Sequence, residues 1–294
     1  MKSRALWAEF VGTFALIFVG MMAIATNEIQ KGAAMAAALA NSKGQGMAAI
    51  HTMMSNGNGD IGRVGIALAH GFAIAVMVSA TMAASGGHLN PAVTFGMWVG
   101  KRITLKRLLG YWVVQLAGGV AGAFVANAVL PSDALTNATG HAAALYGLPS
   151  VSSLLMPEEG GMILWGMPIY AVLIEAVLTF FLVYVVLGTA VDRRAHKIGG
   201  LMIGLTITLD ILAGGPLTGA AMNPARWFGP AFLVSGQPME PSGLMGVTAY
   251  ANWPVYVIGP LLGAAVAAIL YGREPEEDEA TGDIAEYNAG MLPR

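Results

Sequence analysis

The sequence predicts an all-α membrane protein in which six transmembrane helices and two half-helices form an inverted repeat. Composition is the first sign. Of 294 residues, 56% are hydrophobic and only 11% are charged, where a soluble domain carries about 25% charged residues. The second is the recurrence of apolar runs near 20 residues long, the length that crosses about 30 Å of hydrocarbon. The third is a repeated break. "GGHLNPAVTFGMW" (Gly86–Trp98) interrupts the first half of the chain and "GAAMNPARWFGP" (Gly219–Pro230) the second.

The six spans read as roughly Ala5–Ala25, Gly62–Ala84, Arg107–Leu130, Gly166–Ala190, Ile198–Ala213 and Asn252–Tyr271. The first is too long for a signal-peptide core and lacks a small-residue cleavage site, so it reads as a retained span. "AEFVGTF" (Ala8–Phe14) opens one half and "IEAVLTFF" (Ile174–Phe181) the other, each with a glutamate four residues before a threonine. Repeat one covers about residues 1–131 and repeat two about 165–272 of a single domain, 1–272. Three spans per half is an odd number, so the second half enters the membrane upside down, and such repeats share a site near the midplane. Glu9 precedes Asn90 by 81 residues and Glu175 precedes Asn223 by 48. The excess of 33 residues lies in the first loop, Thr26–Asp60. That loop reads either as a surface insertion, the reading preferred here, or as a short helix over the pore mouth. Seven of the 17 acidic residues fall after Gly272, and the tail 273–294 is too polar to pack and reads as disordered.

Basic residues set the orientation. Eleven lie on one face (Lys2, Arg4, Lys101, Arg102, Lys106, Arg107, Arg193, Arg194, Lys197, Arg273 and Arg294) and three on the other (Lys31, Lys43 and Arg63). The positive-inside bias puts both termini in the cytoplasm, with the protein in the cell membrane. The breaks have a physical reading as well. Asparagine is a favoured helix N-cap and proline fits the first helical position. Asn90-Pro91-Ala92 and Asn223-Pro224-Ala225 therefore each start a helix of about ten apolar residues, roughly 15 Å or half the hydrocarbon. Two such half-helices meet tip to tip. The irregular backbone before each cap, Gly86, Gly87, His88 and Leu89 in one repeat and Gly219 to Met222 with Ala221 in the other, cannot face lipid and must line a water-filled path. If each asparagine oxygen caps its own helix, each amide NH2 is free to donate into that path.

Paired "HLNPAVT" and "MNPARWFGP" boxes in a six-span inverted repeat resemble the aquaporin (major intrinsic protein) family of water and glycerol channels. The resemblance covers about Lys2 to Gly272. It implies a passive pore for water and small neutral solutes, one per subunit of a homotetramer embedded in the lipid bilayer. It implies no cofactor, no metal, no nucleic-acid partner and no enzymatic activity. Gly118, Gly119 and Gly122, or Gly259 and Gly263, allow close helix contact, either between subunits or within one.

Buried charge narrows the site, because it is costly in a membrane and usually functional. Glu9 and Glu175 hold equivalent repeat positions, where similar channels use glutamate to brace the bent backbone; a proton relay is the alternative. Asp210 either faces the outer vestibule or caps the chain leaving its helix. Arg226 lies just inside a helix N-terminus, where a cation is disfavoured, and the first repeat has Val93 there. In the family the matching arginine forms an outer selectivity filter, and its partners fall here on His70, Ile211 and Ala220. The set His70, Ile211, Ala220 and Arg226 is similar to plant vacuolar-type filters, associated with water and ammonia. Ala231 and Tyr256 look water-channel-like, whereas Val257 and "GPLTG" (Gly215–Gly219) suggest a glycerol or urea facilitator as the alternative. A secondary transporter is a more remote reading, since the interior offers few coupling groups. There is no cysteine, which excludes thiol chemistry.

Overall fold

The structure is a computed structural model and describes residues 2–41, 61–130, 147–152, 155, 163–164, 167–234 and 249–272. Its helices are α1 (Ser3–Asn41), α2 (Gly62–Ser85), α3 (Pro91–Val99), α4 (Leu105–Val129), α5 (Ile169–Val186), α6 (Gly199–Thr218), α7 (Pro224–Leu233) and α8 (Gly259–Tyr271). A π-helical turn, Leu187–Val191, extends α5, and another, Pro254–Ile258, leads into α8. A minimal antiparallel hairpin of Ile163–Leu164 (β1) and Met167–Pro168 (β2) precedes α5. Six helical segments are long and apolar enough to cross a membrane. The remaining two, α3 and α7, have 9 and 10 residues.

One element departs from the sequence reading. α1 does not end near Ala25 but continues to Asn41, 39 residues in all. At 1.5 Å per residue that is nearly 60 Å, about twice the hydrocarbon thickness. The run "NEIQKGAAMAAALAN" is rich in alanine, with single glutamate, glutamine, lysine, methionine and leucine residues that are also strong helix formers, and it holds no proline to stop the helix. The first part of the expected loop is therefore helix; residues 42–60 lie outside the described residues, as does the tail 273–294. The extension has a structural use. Ile61 offers α2 no side-chain cap, and Asn27 of α1 supplies one, its Oδ1 accepting from the Gly62 N–H at 3.0 Å.

The helices pack as two related sets. α1 lies against α4 and α2, α5 lies against α8 and α6, and the α2–α6 contact joins the sets. Close backbone approach makes these contacts possible. At the α2–α6 crossing a Cβ on Gly71 would come within 2.5 Å of the Gly204 carbonyl, and one on Gly204 within 2.3 Å of the Gly71 carbonyl. In α4 and α8 the matching Gly118 and Gly263 press on the Phe10 and Ala176 carbonyls of α1 and α5. Gly119, Gly122 and Gly259 likewise meet backbone of the same chain. The glycines whose role the sequence left open thus serve packing within the subunit.

Gly263→Val tests this packing. A branched side chain forced against the Ala176 carbonyl overpacks the α5–α8 contact, and such insertions cost about 1–3 kcal/mol or more. We expect a lower unfolding temperature and less monodisperse protein by size-exclusion chromatography, with Gly188→Ala, whose Cβ would meet the Tyr271 ring at an ordinary 3.6 Å, losing far less.

Candidate functional site

The two half-helices meet as the caps require. Asn90 and Asn223 both sit in extended backbone, and their Oδ1 atoms accept from the N–H of Ala92 and Ala225 at 2.8 and 2.9 Å. Pro91 and Pro224 occupy the first helical position, where no N–H is needed. Each amide then reaches across the junction. Asn90 Nδ2 donates to the Met222 carbonyl at 2.9 Å, and Asn223 Nδ2 to the Leu89 carbonyl at 3.1 Å. This corrects the expectation of a wholly free NH2. Half of each amide is committed to the opposite loop, and one hydrogen of each remains.

The loops before the caps are bent in the same way in both repeats. Gly86 and Gly219 end α2 and α6 in the left-handed region. Gly87 matches Ala220 (φ +61° and +44°), and Leu89 matches Met222 (φ +50° in both). Non-glycine residues avoid this region, so neighbours must enforce it. The buried glutamates do so. Glu9 accepts from the N–H of His88 (3.0 Å) and of Leu89 (2.6 Å) and from Gln115 Nε2 (2.8 Å). Glu175 accepts from the N–H of Ala221 (2.9 Å) and of Met222 (2.8 Å) and from Thr218 Oγ1 (2.7 Å). Both side chains are fully buried, and three charge-assisted bonds offset the cost of desolvating each carboxylate. Tyr111 and Tyr256 complete the match, donating to the carbonyls of Ser85 and Thr218 at 2.7 Å.

A cavity passes this junction. Most of its lining falls into repeat-related pairs: Leu16 with Leu182, Ile74 with Ile207, Val78 with Ile211, and Asn90 with Asn223. Gly87 pairs with Ala220, and three further pairs differ in chemistry: His88 with Ala221, His70 with Ile203, and Arg226 with Val93. All four residues of the expected filter, His70, Ile211, Ala220 and Arg226, line it together. Of the expected lining backbone, Gly87, His88, Ala221 and Met222 do, whereas Gly86 caps α2 and Leu89 turns its buried side chain toward Gly12. Pro91, Ala92, Pro224 and Ala225 pack behind the caps and are buried.

Arg226 is buried and, among the described residues, has no carboxylate partner. Its Nη1 donates to the Gly147 carbonyl at 2.7 Å, and its Nε points to His70 Nε2 at a long 3.4 Å. His70 Nδ1 lies 2.9 Å from the Ile66 carbonyl. A carbonyl can only accept, so Nδ1 carries the hydrogen and Nε2 of the neutral ring faces the guanidinium as an acceptor. His88 is fixed the same way. Thr94 gives its hydroxyl hydrogen to the Asn90 carbonyl, so the contact from His88 Nδ1 at 3.2 Å runs from ring to hydroxyl. Asp210 does not cap its helix. It lies in the middle of α6, too far from the helix end to cap it, is buried, and does not line this cavity.

The profile of the family described as Major intrinsic protein matches residues 1–271. The chain belongs to the major intrinsic protein family. Within this family of channels its relatives include plant proteins. It is 37% identical to "Probable aquaporin TIP3-2" of Arabidopsis thaliana over 271 residues, 91% of this chain and 82% of that protein. It is 35% identical to "Aquaporin TIP2-3" of Zea mays, over 92% and 86% of the two chains. A solved structure, the aquaglyceroporin from Plasmodium falciparum, shares the fold with a TM-score of 0.65 at 23% identity, covering 91% of this chain and 94% of that one. The protein is thus an aquaporin-type channel crossing the membrane several times, and its relatives are not enzymes.

Two contributors to the site escaped the sequence reading. Gly147 holds Arg226 through a carbonyl, which has no side-chain signature; its "YGLPS" context signals only a turn. Gly20 of α1 leaves room for the His70 ring, since a Cβ there would lie 2.4 Å from His70 Nε2. Gly20→Ala should push the ring off Arg226 and into the cavity. We expect water permeability to fall several-fold at equal protein per vesicle, and His70→Ala in the same background to restore it. A Gly20→Ala variant with unchanged flux would show that the ring does not need this seat.

Proposed function

We propose that the chain is a passive channel for water and small neutral solutes such as ammonia, with both termini on the cytoplasmic side of the cell membrane and four copies assembled as a homotetramer. The observation that carries the solute reading is the pairing of the cavity wall. Apolar residues make most of the lining, and polarity is added at the junction by Asn90 and Asn223, by His88, and at one end by His70 and Arg226. The apolar wall gives a water few partners to leave behind, while the second amide hydrogen of each asparagine donates to it in transit.

Charge exclusion follows from the parts in place. Both half-helices turn positive ends toward the junction, and Arg226 adds a buried positive charge that forms no ion pair with a carboxylate among the described residues. Pores of this type are selective by diameter, lining donors and half-helix dipoles. Transport is uncoupled, because Glu9 and Glu175 are occupied by backbone N–H groups and offer no open site for a driving ion. The bracing role fits these contacts better than a proton relay does. The basic face supports the orientation: Lys2 shares a cavity with Arg107, and Arg102 donates to the Gly272 carbonyl at 2.8 Å, so both described ends lie on it.

We assign selectivity to His70, Ile211, Ala220 and Arg226, and the bulk of Ile211 and Ala220 decides which solutes pass. Ile211→His with Ala220→Phe narrows the opening and adds a donor. In proteoliposomes with equal protein, methylammonium and glycerol flux should fall at least several-fold further than water flux. Arg226→Val should admit larger neutral solutes and leave only a small cation leak. Unchanged solute ratios in both variants would withdraw the filter assignment, and glycerol flux rivalling that of water in the unaltered protein would favour the facilitator reading.

A further inference from the structure

A second cavity opens on the basic face away from the pore. It lies where three membrane-crossing helices end, and Lys2, Lys106 and Arg107 line it with Ala5, Ala84 and Thr104. Among the described residues no acidic side chain lines it. Two other cations on this face have protein partners: Arg102 is bound to the Gly272 carbonyl and Arg194 pairs with Asp192 at 2.9 Å. Arg107 is anchored by Nη2 to the Ser85 carbonyl (2.6 Å) and Tyr111 Oη (2.7 Å), with its guanidinium over the Tyr111 ring, yet its buried Nε has no acceptor among the described residues.

We propose that this cavity binds a phosphate group, carried by the headgroup of an anionic phospholipid. Three converging cations with no carboxylate among the lining residues match a charge of that sign. Arg107 gives a fixed guanidinium of the kind that suits phosphate oxygens, and the lysines add mobile point charges. The depth is right for a headgroup, because the lining residues lie at or within three residues of the ends of α1, α2 and α4. Exposed Trp7 and Leu105 beside it offer an interfacial aromatic and an apolar surface for an acyl chain. Basic pockets between transmembrane helices are sites of this type for acidic lipids. The consequence reaches the pore loop. Arg107 holds the carbonyl of Ser85, whose Oγ accepts from the N–H of Gly87 at 3.1 Å, so a bound phosphate steadies the residue from which the cavity lining begins.

The full chain, purified in a neutral detergent, is titrated with short-chain phosphatidic acid, with phosphatidylcholine of the same chain length, and with glycerol 3-phosphate, reading unfolding temperature and lipid retention by native mass spectrometry. Saturable stabilisation by phosphatidic acid and not by phosphatidylcholine is expected, and Lys2→Gln with Lys106→Gln should weaken it roughly 10- to 30-fold. Arg4→Gln with Lys197→Gln removes the same charge from the same face outside the cavity and should change affinity less than about twofold. Stabilisation by glycerol 3-phosphate at equal concentration would keep the phosphate site but make its source a soluble ligand. Equal weakening in both double variants, or no saturable binding of either phosphate probe, would overturn the proposal. Unchanged osmotic water flux by the Lys2/Lys106 variant in neutral lipid confirms that it has folded.

Discussion

The structure depends on a reciprocal clasp at its centre. Each asparagine caps its own half-helix with its oxygen and binds the opposite loop with its nitrogen. Neither half-helix spans the bilayer, so each must end inside it with four unpaired N–H groups. A water-filled path satisfies some of these, and the clasp and its two glutamates organise the rest. Without Glu9 and Glu175 the left-handed backbone at Leu89 and Met222 would relax, the carbonyls would turn away, and the asparagines would lose their acceptors. Four side chains thus fix where two discontinuous helices meet.

Onto this two-fold scaffold the chain places a one-sided chemistry. Where repeat one has Val93, repeat two has Arg226; where repeat two has Ile203, repeat one has His70. The two polar substitutions fall at the same end of the cavity and touch each other, so the symmetric fold yields a single filter. A buried guanidinium near a helix N-terminus is unfavourable twice over, by desolvation and by the dipole. It is held by a loop carbonyl and an imidazole lone pair, neither of which removes its charge. The arrangement keeps the positive potential that a carboxylate partner would cancel.

Much of this was legible in the sequence because it rests on local rules. Asn-Pro-Ala is a helix start wherever it occurs, and its inverted duplication implies the junction. The glutamates were found by their equivalent places before each box. What stayed hidden depends on contacts between distant segments. The length of α1 was misjudged because apolar periodicity marks where lipid ends, while helix propensity decides where the helix ends. Gly20 and Gly147 matter through absent atoms and a carbonyl, which leave no pattern in a chain with 39 glycines. The free asparagine amide was half right for the same reason: the cap is local, but its second partner lies over 130 residues away.

The central claim is that this junction conducts neutral molecules and refuses charge. Osmotic shrinkage of proteoliposomes, followed by stopped-flow light scattering with proton current recorded on the same vesicles, tests it most directly. The account predicts fast, non-saturating water flux with a temperature dependence well below that of bare lipid and no proton current above protein-free vesicles. Flux with the steep temperature dependence of bare lipid, or a proton current that scales with incorporated protein, would contradict it.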